Sequence, residues 1–305
     1  MKVRSIVVQT MAAAVLMAVA FMSPCSLAAQ DRSQVDKLEV KPAHEPPLMG
    51  MHWAREFART ARVRRSPNMT WHNGAIMTSS AITAVYWGTS WTSSNPKVAG
   101  LQSFYIGFNG SSYAKTSDEY SGTNGQVGPD GTYGGYVIDT SSATGGNQTS
   151  PILAEVCRAV PNPVSNGYYP VYTDVKRGNA GYCAWHSYGS CNGVPVQIAF
   201  FFDLDNDLGC DPQDTTTRHP QGLAALANVS AHELSEARTD PRNGGWYDSS
   251  GAENGDKCAW TFNVPSVTFT DGSNWKVQGE WSNAAYNAGT GYPNSSGQRG
   301  CLDGH

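Results

Sequence analysis

Charge is scarce in this sequence. Only 15% of the 305 residues are Asp, Glu, Lys or Arg, and the net charge is -4. A phosphate backbone is held by clustered Lys and Arg, so a mildly acidic, Gly-rich and aromatic-rich chain excludes nucleic acid as a partner. Long apolar runs are missing after the N-terminus, which excludes stable membrane insertion. No Cys-x-x-Cys pair exists, so a cysteine zinc cluster is excluded. Methionine stops at Met77, and no internal repeat is present.

The N-terminus sets the compartment. Lys2 and Arg4 form a short basic start, and Ile6–Val8 and Ala12–Met22 are almost wholly apolar. Ser26-Leu27-Ala28 then places small residues where a signal peptidase reads, so residues 1–28 are expected to be a secretory signal peptide. A membrane anchor fits less well: Gln9 and Thr10 interrupt the run, and what remains is short for a span of about 20 residues. Cys25 follows Met22-Ser23-Pro24, a poor match to a lipoprotein signal. Losing the segment moves the net charge from -4 to -6 and predicts a secreted protein, extracellular, periplasmic or at the cell surface. Six cysteines then remain, Cys157, Cys183, Cys191, Cys210, Cys258 and Cys301, enough for three disulfides in an oxidising compartment. Cys183–Cys191 and Cys258–Cys301 are the expected pairs, which leaves Cys157–Cys210.

Residues 29–70 differ from the rest and read as a linker or propeptide. Asp31–Pro47 is polar and contains Pro. Met51–Arg65 reads as a short basic helix ending in Arg62-Val63-Arg64-Arg65, either a processing site or a solvated arm. Residues 71–305 have uniform composition and enough length for one core, so a single domain is expected. Ile82–Trp87, Tyr136–Asp139, Tyr168–Thr173 and Val196–Phe202 are predicted strands, β-branched or aromatic and bounded by turn formers. Val267–Thr270 and Trp275–Gln278 flank Asp271-Gly272 as a hairpin. Helices are predicted over Pro151–Val160 and over Gln221–Arg238, the second with one buried face. Strands and helices without regular alternation indicate an α+β fold with a mixed sheet.

The second helix carries His232-Glu233-Leu234-Ser235-Glu236. Residues four apart on a helix project from one face, so His232 and Glu236 are candidate metal ligands. In the zincin arrangement, His-Glu-x-x-His, two ligands one turn apart hold zinc and the intervening Glu is general base. Here Glu236 takes the second ligand position, and Glu233 is the candidate base. A carboxylate binds zinc at a distance similar to imidazole, though an added anionic ligand weakens the Lewis acid. Glu253, 21 positions after His232, is the expected third ligand, with Asp256, 24 positions after it, as the alternative, in a segment that Cys258 would pin. If Glu253 is the ligand, Asp256 is free to orient the His232 ring. Arg242 occupies the metzincin ligand position and no Met-turn follows, which removes that alternative. His186 and Tyr247 are candidate donors to the oxyanion of peptide hydrolysis. The competing reading makes Glu233 and Glu236 solvated helix charges and His232 a satisfied buried imidazole. Asp203, Asp205 and Asp207, followed by Asp211 and Asp214, space their carboxylates like a calcium loop, but Gly209 falls one position late for an EF-hand.

Together these residues resemble the EXORDIUM (phosphate-induced protein) family, in a bacterial-type member. The likeness runs from about Ile76 to Cys301, through Val85-Tyr86-Trp87-Gly88-Thr89-Ser90-Trp91, Tyr182-Cys183-Ala184-Trp185-His186-Ser187 and Ala231-His232-Glu233-Leu234-Ser235-Glu236-Ala237. Asp240-Pro241, Trp246-Tyr247 and Glu253-Asn254-Gly255-Asp256-Lys257-Cys258 continue it. The resemblance implies an extracellular or cell-wall protein. Two functions follow as expectations: a zinc metallopeptidase of zincin-like fold acting on a protein or peptide substrate, or a non-catalytic EXORDIUM-like protein of cell wall or matrix with a structural metal site. Carbohydrate binding through exposed Trp and Tyr rests on composition alone.

Overall fold

Six strands pair into one sheet: β1 (Met49–Trp53), β2 (Ser80–Trp87), β3 (Gly131–Asp139), β4 (Gly167–Lys176), β5 (Tyr182–Cys191) and β6 (Val194–Asp203). Their order across the sheet is β1-β5-β6-β4-β2-β3. Strands β6, β4, β2 and β3 run parallel, whereas β5 is antiparallel to β6 and β1 to β5. The computed structural model describes residues 45–58 and 67–305, so the segment read as a signal peptide lies outside the described residues. The fold is α+β with a mixed sheet, as the element pattern predicts.

Parallel neighbours need crossovers. Helix α1 (Pro96–Phe108) connects β2 to β3 and α2 (Thr149–Ala159) connects β3 to β4. Asn95 starts α1 by accepting from the Lys97 N–H at 3.0 Å, with Pro96 just inside, a paired start signal. Helix α2 begins two residues before its predicted start at Pro151. The predicted hairpin forms, pairing Val267 with Trp275 and Thr268 with Asn274.

Helix α3 (Gln221–Thr239) departs from its predicted pattern. Every residue from Gly222 to Thr239 is buried, so it has no solvated face. It packs on β5, β6 and β1 of the sheet, on α1, and on α4 (Asn254–Lys257), which returns across it. Its polar residues are met inside. Tyr172 Oη lies 2.7 Å from Ser230 Oγ and 2.6 Å from Tyr105 Oη, a buried chain from sheet to helix. Asn228 accepts from the Gln278 N–H at 2.9 Å, and Arg238 donates to the carbonyls of Ala114 and Gly128. Buried polar groups are tolerated when bonded in this way.

The helix predicted over Met51–Arg65 is not formed at its start: Met49–Trp53 is the edge strand β1, and residues 59–65 lie outside the described ones. Pairing with β5 overrides the local preference, as sheet context commonly does. That part of the 29–70 stretch is therefore sheet and not linker.

Three disulfides close the fold: Cys157–Cys191, Cys183–Cys210 and Cys258–Cys301. The last is the predicted pair; the other two correct the expectation. Cys183 and Cys191 lie near opposite ends of β5, and a strand rises about 3.3 Å per residue, far beyond disulfide reach over eight residues. Among the described residues no helix is long and apolar enough to cross a membrane. Replacing Cys258 and Cys301 together with Ser, which opens a loop of 43 residues, is expected to cost about 3–4 kcal/mol in urea unfolding.

Candidate metal centre

With no exposed face on α3, its charged side chains must be received inside the protein. His232, Glu233 and Glu236 are each fully buried. The chain after α3 is turned back over it by Asp240, whose Oδ1 accepts from the Gly244 and Gly245 N–H groups at 2.7 Å each. Asp248 holds the next turn by accepting from Ser250 and Ala252 and pairing with Lys257 at 2.9 Å. Helix α4 then lays Glu253 and Asp256 against α3, and Cys258 fixes its end through the disulfide to Cys301. His186 enters from β5. Strand alternation turns it away from Trp185 and Gly189, which face α2, and towards α3.

Six ligand-type side chains therefore meet. Asp256 N–H donates to Glu236 Oε1 at 2.8 Å, which leaves Oε2 of Glu236 directed inward. That oxygen stands 3.1 Å from His232 Nε2 and 3.9 Å from His186 Nε2. His186 Nε2 is 3.3 Å from Glu253, and His232 Nε2 is 3.9 Å from Asp256 Oδ1. His232, Glu236 and Asp256 form one group able to hold a metal ion, and His186, Glu233 and Glu236 form another, with ligand atoms within 4.8 Å of one another in each. His232 Nε2, both oxygens of Glu233, Glu236 Oε2 and Glu253 Oε2 are buried and make no hydrogen bond. Orphaned buried polar atoms are rare, and a nitrogen-and-carboxylate donor set of this kind suits a divalent cation.

Of the candidate ligands, Asp256 joins the His232–Glu236 group, while Glu253 lies nearest to His186. Predicted as an oxyanion donor, His186 sits instead among the candidate ligands. Tyr247 is on the short strand Trp246–Tyr247, stacked on His72 with ring centroids 3.5 Å apart. Three participants escape sequence reasoning. The Gln278 side chain bonds His232 Nδ1 at 3.0 Å and the Gly255 carbonyl at 2.8 Å, and accepts from His52 Nε2 at 2.9 Å. As placed, the Gln278 amide nitrogen faces His232 Nδ1, which puts the ring proton on Nε2. A metal on Nε2 needs the proton on Nδ1 and therefore the amide reversed, with loss of its bonds to the Gly255 carbonyl and from the Trp260 N–H. His52, buried on β1, lies with its ring 4.4 Å from that of His232. Gly50 adopts φ +48°, and a Cβ there would run into Glu236 and His186, so only glycine carries β1 past the centre. The signal available was a lone glycine in an otherwise large-residue strand.

Burial dominates the electrostatics. Desolvation raises Glu236 and Asp256 to about 8, and raises Glu233 and Glu253 well above the carboxylate range, with repulsion from Glu236 adding to both. Desolvation also lowers His186 to about 3 and His232 to about 4, leaving neutral imidazoles able to bind metal. A groove of about 1620 Å³ reaches the centre, lined by Gly50 and Met51 of β1, by Tyr247, and by Glu253 and Asp256.

The calcium expectation does not hold. Lys97 and Lys176 pair with Asp203 at 3.0 and 2.7 Å, Lys97 also with Asp205 at 2.7 Å, and Arg177 takes Asp207 from two nitrogens at 2.6 and 2.9 Å. Asp211 and Asp214 accept from the backbone of their own turns. Side-chain cations already neutralise this loop. The chain matches no family model, no curated protein and no solved structure.

Raised carboxylates contribute stability that is complete in acid and is lost as pH rises towards about 8. The lowered imidazoles, His52 included, contribute stability present above about 6.5 and lost as pH falls. Between pH 6.5 and 8 only the carboxylate effect remains. The Tm of chelated protein is expected to fall across that window in scanning calorimetry, and a saturating divalent cation should abolish the fall, since metal ligands bind deprotonated. A flat profile without metal would contradict the assignment.

Proposed function

We propose that this is a secreted, zinc-dependent peptidase of zincin-like architecture, with the cation held by His232, Glu236 and Asp256. The carrying observation is a set of buried ligand atoms without partners behind Glu253 and Asp256, which line a groove that a sheet edge borders. Zinc held there supplies Lewis acidity for a carbonyl oxygen and acidifies water. Glu233, one residue from His232 with both oxygens unpartnered, takes the proton from the attacking water. An extended peptide adds to the edge of β1, where Gly50 and Met51 line the groove, by main-chain pairing. Tyr247 on the same groove donates to the developing oxyanion. Three disulfides fit an oxidising compartment, and that supports export.

A second reading is favoured by one feature. His186, His232, Glu233 and Glu236 are fully buried, and of the six side chains only Glu253 and Asp256 line the groove. Structural metal sites are closed in this way, which suits a non-catalytic EXORDIUM-like protein of cell wall or matrix. Casein cleavage by zinc-loaded protein decides between them. For the peptidase, Glu233→Gln should lower cleavage by at least about 100-fold while zinc stays at the His232 position. Zinc-loaded wild type that cuts nothing in a broad peptide library leaves the second reading.

A further inference from the structure

Glu236 stands between two imidazoles that arrive from different elements, His232 from its own helix and His186 from β5. With Oε1 tied to the Asp256 N–H, Oε2 faces both imidazoles, 3.1 Å from His232 Nε2 and 3.9 Å from His186 Nε2, and Glu236 belongs to both ligand groups. We propose that the centre holds two divalent cations, one at His232, Glu236 and Asp256 and a second at His186, Glu233 and Glu236, with Glu236 between them. The second position goes beyond the single-zinc reading but rests on the first being a metal site.

Charge carries the inference furthest. Deprotonated, as metal ligands must be, Glu233, Glu236, Glu253 and Asp256 carry four negative charges in the interior. Among the described residues no Lys or Arg pairs with any of them; their ion-pair partners are His186 and His232. The nearby cations are committed elsewhere, Lys257 to Asp248 and Arg238 to backbone carbonyls. One divalent cation leaves two buried negative charges uncompensated, and two cations balance all four. Uncompensated buried charge is costly. The second position also has its own under-satisfied atoms: both oxygens of Glu233 are buried and neither makes a hydrogen bond of full geometry, the His52 backbone N–H being the donor directed at them, which leaves one for the cation and one for proton transfer. Glu253, 3.3 Å from His186 Nε2, adds a further carboxylate on that side. One imidazole and carboxylate oxygens at each position suit zinc or manganese.

Full-length protein is stripped with chelator, reloaded with zinc or manganese, desalted and assayed for metal by mass spectrometry. Two equivalents are expected, falling to one in His186→Gln with near-UV circular dichroism unchanged. Manganese-loaded protein should give the electron paramagnetic resonance of an exchange-coupled pair, a readout that needs no variant to fold. One equivalent with an isolated-ion spectrum overturns the second position and leaves the zinc peptidase reading standing. Two equivalents retained in folded His186→Gln also overturn it. No bound metal overturns both.

Discussion

Four carboxylates converge in an interior that offers them no lysine or arginine, and the rest of the structure is arranged around that imbalance. Burial alone would force these groups to hold their protons near neutral pH, as the upward shifts of Glu236 and Asp256 show. Two neutral imidazoles stand among them with a nitrogen of each turned inward. Anions kept from water beside unprotonated imidazoles are a costly combination without a cation and a favourable one with it. The acidic loop at Asp203, Asp205 and Asp207 makes the contrast: its three carboxylates are met by Lys97, Lys176 and Arg177.

Holding such a group requires a rigid frame, and each ligand has a separate anchor. Helix α3 is clamped on all sides, with Ser230 tied into the sheet through Tyr172 and Arg238 capping neighbouring carbonyls. Asp240 and Asp248 fold the following chain back by accepting from backbone N–H groups, and the Cys258–Cys301 disulfide fastens its far end. His186 is set by β5, which pairs on both edges. Because these supports are independent, displacing one ligand need not displace the others.

Local patterns in the sequence carried much of this. Strands β2, β3, β4 and β6 announce themselves because β-branched and aromatic runs end at turn residues. Helix α3 has length and periodicity, and the four-residue spacing of His232 and Glu236 survives whatever packs around it. What escaped is long-range. Strand β5 was not predicted because Gly189 and Ser190 dilute its pattern, so His186 was noticed without its direction. The basic character after Met51 suggested a helix, yet pairing with β5 holds Met49–Trp53 extended. Disulfide pairing depended on the same missing strand, since only its length shows that Cys183 and Cys191 cannot meet. Gln278 and His52 carry no local signature, because their role exists only once three separate segments touch.

The placement of β1 links the frame to access. It is the edge of the sheet, and Gly50 lets its backbone pass against Glu236 and His186 where any side chain would collide. The same strand thus shields the buried ligands and borders the groove where Glu253 and Asp256 emerge. A molecule entering along β1 meets Glu253 and Asp256 first, with His186, His232, Glu233 and Glu236 buried behind them. Asp256 belongs to the His232 group and Glu253 lies against His186, so each side of the cluster reaches the groove through one carboxylate.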